Sequence, residues 1–149
     1  MKELLYLDYN CFQRGFDDPR QTRIRMEALA CEWIFVQAES KNLRLVWSFM
    51  HDDENHFCPF LDRQIEVLRL SEICELRIRP EDDIRDQAEA FQKEGNLSAK
   101  DAVHLACAHH IKADYFLSCD DDLVKRAGRL NLQTKIGNPV DYVRAKENR

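Results

Sequence analysis

A chain of 149 residues has the length of one ordinary domain, enough to bury roughly two-thirds of its unfolded surface without disulfide or metal staples. Apolar residues at 44% and charged residues at 33%, with four Gly and four Pro, exclude a disordered, collagen-like or loop-rich secreted chain. The net charge of -5 argues against a general electrostatic grip on nucleic acid but leaves room for a local one.

Leu4 to Leu7 is a short apolar run ending at Asp8 and reads as a buried strand, because turn-forming Asp and Asn follow at once. Asp17-Asp18-Pro19 has the form of a helix start. Apolar Ile24, Ala28, Cys31, Phe35 and Ala38 then recur at helical spacing, predicting a helix with one buried stripe that stops near Asn42. Leu43 to Trp47 reads as a second strand closed by Ser48, and Phe49 to about Leu70 as helix interrupted near Pro59. Ile73 to Ile78 is a third strand, with Glu75 and Arg77 marking an edge. Pro80 opens a helix with stripe Ile84, Ala88 and Phe91, stopped by Gly95-Asn96. Ser98 to Asp101 matches the S-x-x-D capping pattern before a central helix from Ala102 to Ile111. Asp114 to Ser118 reads as a strand, Asp120 to Leu130 as a helix, and Gln133 to Ile136 as a last strand before a frayed terminal helix.

No repeat, low-complexity tract or linker divides the chain, so residues 1–149 are expected to form a single domain. Strands alternating with helices predict an α/β fold, a mostly parallel central sheet flanked by helices on both faces. No apolar run approaches the roughly 18 to 20 residues of a membrane span, and the charged start, Met1-Lys2-Glu3, lacks the apolar stretch of a signal peptide. A cytoplasmic location and no membrane partner are expected. The six cysteines stand singly without a CxxC pair and read as reduced, packed thiols.

Ligands of such sheets sit beyond the carboxyl ends of the strands, which selects Asp8, Asp120, Asp101 in the first turn of the central helix, and Glu54 on the second turn of the helix after Ser48. Singly, Asp101 and Asp120 are explained by helix capping. If all four converge, two carboxylates about 4 Å apart repel by about 4 kcal/mol at an effective dielectric near 20, so a compensating cation is needed. Oxygen ligands without Cys or His favour Mg²⁺ or Mn²⁺ over zinc. That points to phosphodiester chemistry by a metal-activated water.

Four segments resemble the PIN-domain nucleases, including the VapC-type toxin ribonucleases. They are Leu5-Tyr6-Leu7-Asp8-Tyr9-Asn10, Val46-Trp47-Ser48 through Glu54, Leu97-Ser98-Ala99-Lys100-Asp101-Ala102-Val103-His104-Leu105-Ala106, and Ala113-Asp114-Tyr115-Phe116-Leu117-Ser118-Cys119-Asp120 with Leu123. The last two are the specific ones. The resemblance implies a PIN-like three-layer sandwich and a metal-dependent endoribonuclease, the toxin of a toxin-antitoxin pair. It also implies Asp8, Glu54, Asp101 and Asp120 as catalytic metal ligands for Mg²⁺ or Mn²⁺, oriented by Asn10 and Ser118. The runs Asp52-Asp53-Glu54 and Asp120-Asp121-Asp122 leave the second ligand ambiguous and offer Asp122 as an extra one. A homodimer and a small antitoxin are implied as partners besides RNA.

Arg14, Arg20 and Arg23 are candidate phosphate contacts, with a solvated helix face as the competing explanation. His51, Asp52, Glu54 and His56 lack the zincin spacing and read as a solvated face; His104, one turn past Asp101, reads as packed and hydrogen-bonded, and His109 and His110 as structural. A haloacid-dehalogenase-type phosphatase would use Asp8 as nucleophile but needs an acid where Asn10 stands. A receiver domain lacks its paired acid and late Lys. The non-enzymatic alternative is a PIN-like module that binds RNA or protein without cutting.

Overall fold

Strand β1 (Leu4–Leu7) is buried along its whole length, and its residues alternate between two cores. Leu5 and Leu7 face one, Leu4 and Tyr6 the other. That division requires helices on both faces of the sheet. A computed structural model describes residues 2–148, and in it β1 is the central strand of five, ordered β3-β2-β1-β4-β5. The partners are β2 (Arg44–Ser48), β3 (Leu76–Ile78), β4 (Tyr115–Leu117) and β5 (Lys135–Gly137). Every pairing is parallel, with Leu5 opposite Leu45 on one side and Tyr115 on the other. As expected from its charges, β3 lies at an edge.

One face is covered by α1 (Tyr9–Gln13), α2 (Thr22–Glu39), α4 (Leu61–Ser71) and α8 (Pro139–Glu147), which bury Phe12, Ile34, Val67 and Tyr142 against Leu45 and Trp47. The other is covered by α5 (Asp82–Gly95), α6 (Ala99–His110) and α7 (Asp121–Gly128). There Ile84, Phe91, Leu105 and Leu123 pack on Tyr6, Val46 and Phe116. Helix α3 (Phe49–His56) follows β2 directly. The result is the α/β three-layer sandwich that the sequence predicts, PIN-like in architecture. The chain runs from β1 outward to β2 and β3, then returns to β4 and β5 on the other side. This opens a crevice at the carboxyl ends of the central strands.

Several local expectations need correction. The first helix begins at Tyr9, not Asp17, because the Asp8 side chain accepts the Tyr9 N–H and caps it. Asp17 closes a 3-10 turn (Arg14–Phe16), and Asp18 folds back on the backbone and guanidinium of Arg20. With both acids so engaged, α2 starts three residues past Pro19, at Thr22. Its buried stripe is Glu27, Ala30, Cys31, Ile34 and Ala38, rotated from the predicted one, because Glu27 is drawn inward by Arg14 at 3.0 Å and Asn138 at 2.6 Å. The terminal helix α8 is docked rather than frayed. Tyr142 donates to Glu3 and Lys146 pairs with the same carboxylate.

Candidate active site

The Asp8 N–H donates to Leu117 O at 2.8 Å, so the residue is still held by β4 while its carboxylate stands at the mouth of the crevice. One carboxylate oxygen accepts the Tyr9 N–H at 2.7 Å; the other accepts from Ser118 Oγ at 2.7 Å and Asn10 Nδ2 at 3.2 Å. Asn10 Oδ1 accepts the Cys119 N–H, and Ser118 Oγ the Asp120 N–H. These bonds fasten the loop after β4 to the turn after β1. Asp120 caps α7, accepting from the Asp122 and Leu123 N–H groups. Asp101 occupies the first turn of α6 behind its Ser98 cap.

Asp8, Glu54, Asp101 and Asp120 all line one cavity of about 200 Å³, together with Tyr9, Asn10, Gln13, Asp17 and Lys100. Within the acidic run of α3 the geometry separates the three side chains. Asp52 accepts from the Trp47 indole at 2.7 Å, Asp53 faces a neighbouring groove with Met50 and Phe57, and Glu54 lines the carboxylate cavity. Asp122 lies outside that lining.

The cavity is electrostatically strained. Asp8 is 6% exposed; burial pushes its pKa up, a rise partly offset by His104 and the Ser118 bond and reinforced by Glu54 and Asp101. Burial also raises Asp101, opposed by its bond with Ser98 and augmented by the charge of Asp120. Lys100, 3.6 Å from Glu54, brings the one cationic Lys or Arg among the lining residues.

Two histidines matter more than their sequence positions suggest. His104 is fully buried and places Nε2 against Glu54 and 3.9 Å from Asp8. Its Nδ1 meets the Tyr6 hydroxyl at 2.6 Å. His51, expected on a solvated face, is fully buried: its Nδ1 accepts the Ser48 N–H at 2.9 Å, and Nε2 reaches Leu7 O at 2.7 Å. Burial pushes its pKa well down, helped by His104, so it is neutral. Stacking between Trp47 and Tyr6 accounts for that burial. No local signal marks His51, whose partners come from β1 and β2; His104 was visible only as a histidine one turn from Asp101.

The three arginines lie outside the cavity lining. Arg14 is held by Asp17 and Glu27, Arg20 by Asp18, and Arg23 by Glu27 and Asp121. All six cysteines are free, but Cys11, Cys31 and Cys119 bring their sulfurs within 4.8 Å of one another, with Cys11 Sγ donating to Asn10 Oδ1 at 3.5 Å.

A five-stranded parallel sheet with a carboxylate cavity at its switch point places the chain among α/β proteins of PIN-like fold. The family model described as PIN domain matches residues 57–129, a span that holds Asp101 and Asp120. The crystal structure of PAE2754 from Pyrobaculum aerophilum is similar over 97% of each chain, with a TM-score of 0.55 and 13% identity, a likeness of fold. No curated protein matches the sequence.

Proposed function

We propose that the protein is a metal-dependent endoribonuclease that hydrolyses RNA phosphodiesters, with Asp8, Glu54, Asp101 and Asp120 as its catalytic metal ligands. The observation that carries this reading is their convergence on one 200 Å³ cavity. Of the five carboxylates lining the cavity, Asp17 is paired with Arg14 and Arg63; the other four face one Lys and leave uncompensated negative charge, and oxygen donors of this kind suit Mg²⁺ or Mn²⁺. When bound, such an ion offsets that charge and acidifies a water for attack on phosphorus. Ser118 and Asn10 hold the Asp8 carboxylate in one orientation, the two α7 N–H groups hold Asp120, and Lys100 stands where a substrate phosphate would meet it. No covalent enzyme intermediate is required. With three donors on its oxygens, Asp8 is set up as a fixed ligand, and the amide of Asn10 stands where a phosphatase would need a second acid.

RNA as substrate and a toxin role rest on the resemblance of the four segments to VapC-type nucleases. A homodimer and a small antitoxin are the corresponding partners. An 820 Å³ groove between α2 and α4, lined by Leu29, Phe35, Val36, Leu70 and Ile73 among others, is consistent with a protein partner, since Leu29 and Val36 stand 61% and 53% exposed.

The test is RNA cleavage with and without Mn²⁺ by wild type, Asp8→Asn and Asp101→Asn. Cleavage by wild type with Mn²⁺ and none by either variant is expected. Activity that survives chelation or either substitution overturns the reading; metal binding without cleavage of any RNA favours the binding module.

A further inference from the structure

We infer that His104 is itself a metal ligand through Nε2, making the centre a mixed nitrogen and oxygen site rather than an all-carboxylate one. The inference rests on the reading above only in taking Asp8 and Glu54 to hold a divalent cation.

One donor atom each from Asp8, Glu54 and His104 lies within 4.8 Å of the other two. Atoms coordinating one ion at about 2.0 to 2.2 Å are about 3 to 4.3 Å apart, so the 3.9 Å from His104 Nε2 to Asp8 already falls in that range. Nε2 also touches Glu54; an ion entering between them takes the place of that direct contact. Placement alone does not make a ligand. The second observation lies behind the ring: a ligating histidine uses its other nitrogen to bond a partner that fixes the ring orientation, and His104 Nδ1 meets the Tyr6 hydroxyl at 2.6 Å.

The hydrogen-bond chain behind Tyr6 accepts the tautomer that ligation demands. With Nε2 bearing the ion, Nδ1 must carry the proton and donate to the Tyr6 oxygen. Tyr6 then donates to Ser48 Oγ at 2.7 Å, and Ser48 donates to His51 Nδ1 at 3.2 Å. His51 Nδ1 is an acceptor, because it also receives the Ser48 N–H, and its Nε2–H ends the chain on Leu7 O. Without a cation the same atoms reverse: Ser48 donates to Tyr6, Tyr6 to Nδ1, and Nε2–H to Glu54. No group is left unpartnered in either state.

A nitrogen ligand shifts preference away from Mg²⁺, toward Mn²⁺ and the later transition metals that imidazole suits. The deciding experiment is pulsed electron paramagnetic resonance of the full chain loaded with Mn²⁺. Wild type is expected to show the nuclear modulation of one directly coordinated imidazole, altered when histidine is labelled with ¹⁵N. His104→Gln should lose that signal, weaken Mn²⁺ binding at least tenfold, and lower the Mn²⁺ over Mg²⁺ affinity ratio. Tyr6→Phe should keep the signal and bind Mn²⁺ more weakly than wild type, which covers the case in which His104→Gln does not fold. Mn²⁺ bound in an Asp8-dependent manner without imidazole modulation overturns the inference while the carboxylate site stands. Absence of Asp8-dependent Mn²⁺ binding overturns both.

Discussion

Asp8→Asn should make the metal-free protein more stable and the metal-loaded protein less so, reversing the order of the two forms. In wild type a Glu54 oxygen lies within 4.8 Å of Asp8, a repulsion of about 3.5 kcal/mol at an effective dielectric near 20. Asparagine removes that charge but keeps one acceptor oxygen for three donors, leaving the Asn10 amide facing another NH₂ group at a cost of about 1 to 3 kcal/mol. The difference is a net gain of about 1 kcal/mol, or about 2 to 4 °C in melting temperature for a chain of this length. Mn²⁺ at a hundred times its dissociation constant stabilises wild type by about 2.7 kcal/mol, which is about 5 to 10 °C, and the variant by much less. Because the folded pKa of Asp8 lies above the ordinary 3.8, the wild-type stability lost to ionisation is intact below pH 3.8 and disappears as pH rises through the elevated value. The advantage of the variant in chelator should therefore be present at pH 7 and shrink toward zero as pH falls to 3.8. Differential scanning fluorimetry with EDTA or Mn²⁺ across that range measures it. A variant equally destabilised with and without metal, or a wild type whose melting ignores Mn²⁺, refutes the reasoning.

Ser118→Ala should lower Mn²⁺ affinity about 10- to 100-fold, measured by isothermal titration calorimetry, because Ser118 both donates to Asp8 and accepts the Asp120 N–H. Glu27→Ala should cost about 3 to 5 kcal/mol in urea denaturation, since it strips Arg14 and Asn138 of a shared, nearly inaccessible acceptor. Lys100→Ala should reduce the salt dependence of RNA binding by about one unit of slope, whereas Arg20→Ala, whose guanidinium is held by Asp18 outside the cavity lining, should leave that slope unchanged when both are read by fluorescence anisotropy.

What the sequence made legible follows the range of the forces involved. The strands β1, β2 and β4 are set by continuous apolar runs, and α5 by a single amphipathic stripe with a left-handed Asn96 as its stop; local pattern suffices for both. The start of α2 was not legible, because Asp17 and Asp18 look like caps until Arg14 and Arg20 are seen to claim them. Glu27 in a buried stripe is likewise unreadable without Asn138, 111 residues away.

The same distinction runs through the site. Asp8 and Asp120 stand at a strand end and a helix cap, where backbone donors fix the carboxylate locally, and Asp101 stands in the first turn behind the Ser98 cap, so their positions can be read one at a time. Glu54 could not be told from Asp52 and Asp53 by position in the run. What separates them is the Trp47 indole, which holds Asp52, and the turn of α3 that carries Glu54 toward His104. The buried chain from His104 through Tyr6 and Ser48 to His51 joins residues from β1, β2, α3 and α6, and no spacing rule predicts it. Acids at the mouth of the crevice, and Asn10 and Ser118 that orient Asp8, are thus accessible from the sequence, while the buried chain behind them depends on contacts that exist only once both faces of the sheet are covered. Within that chain Tyr6→Phe, which keeps the ring that α5, α6 and α7 pack on, should change how tightly a cation is held while the sandwich still forms. The strands themselves are fixed by Leu5, Leu7, Leu45 and Phe116, none of which belongs to the chain.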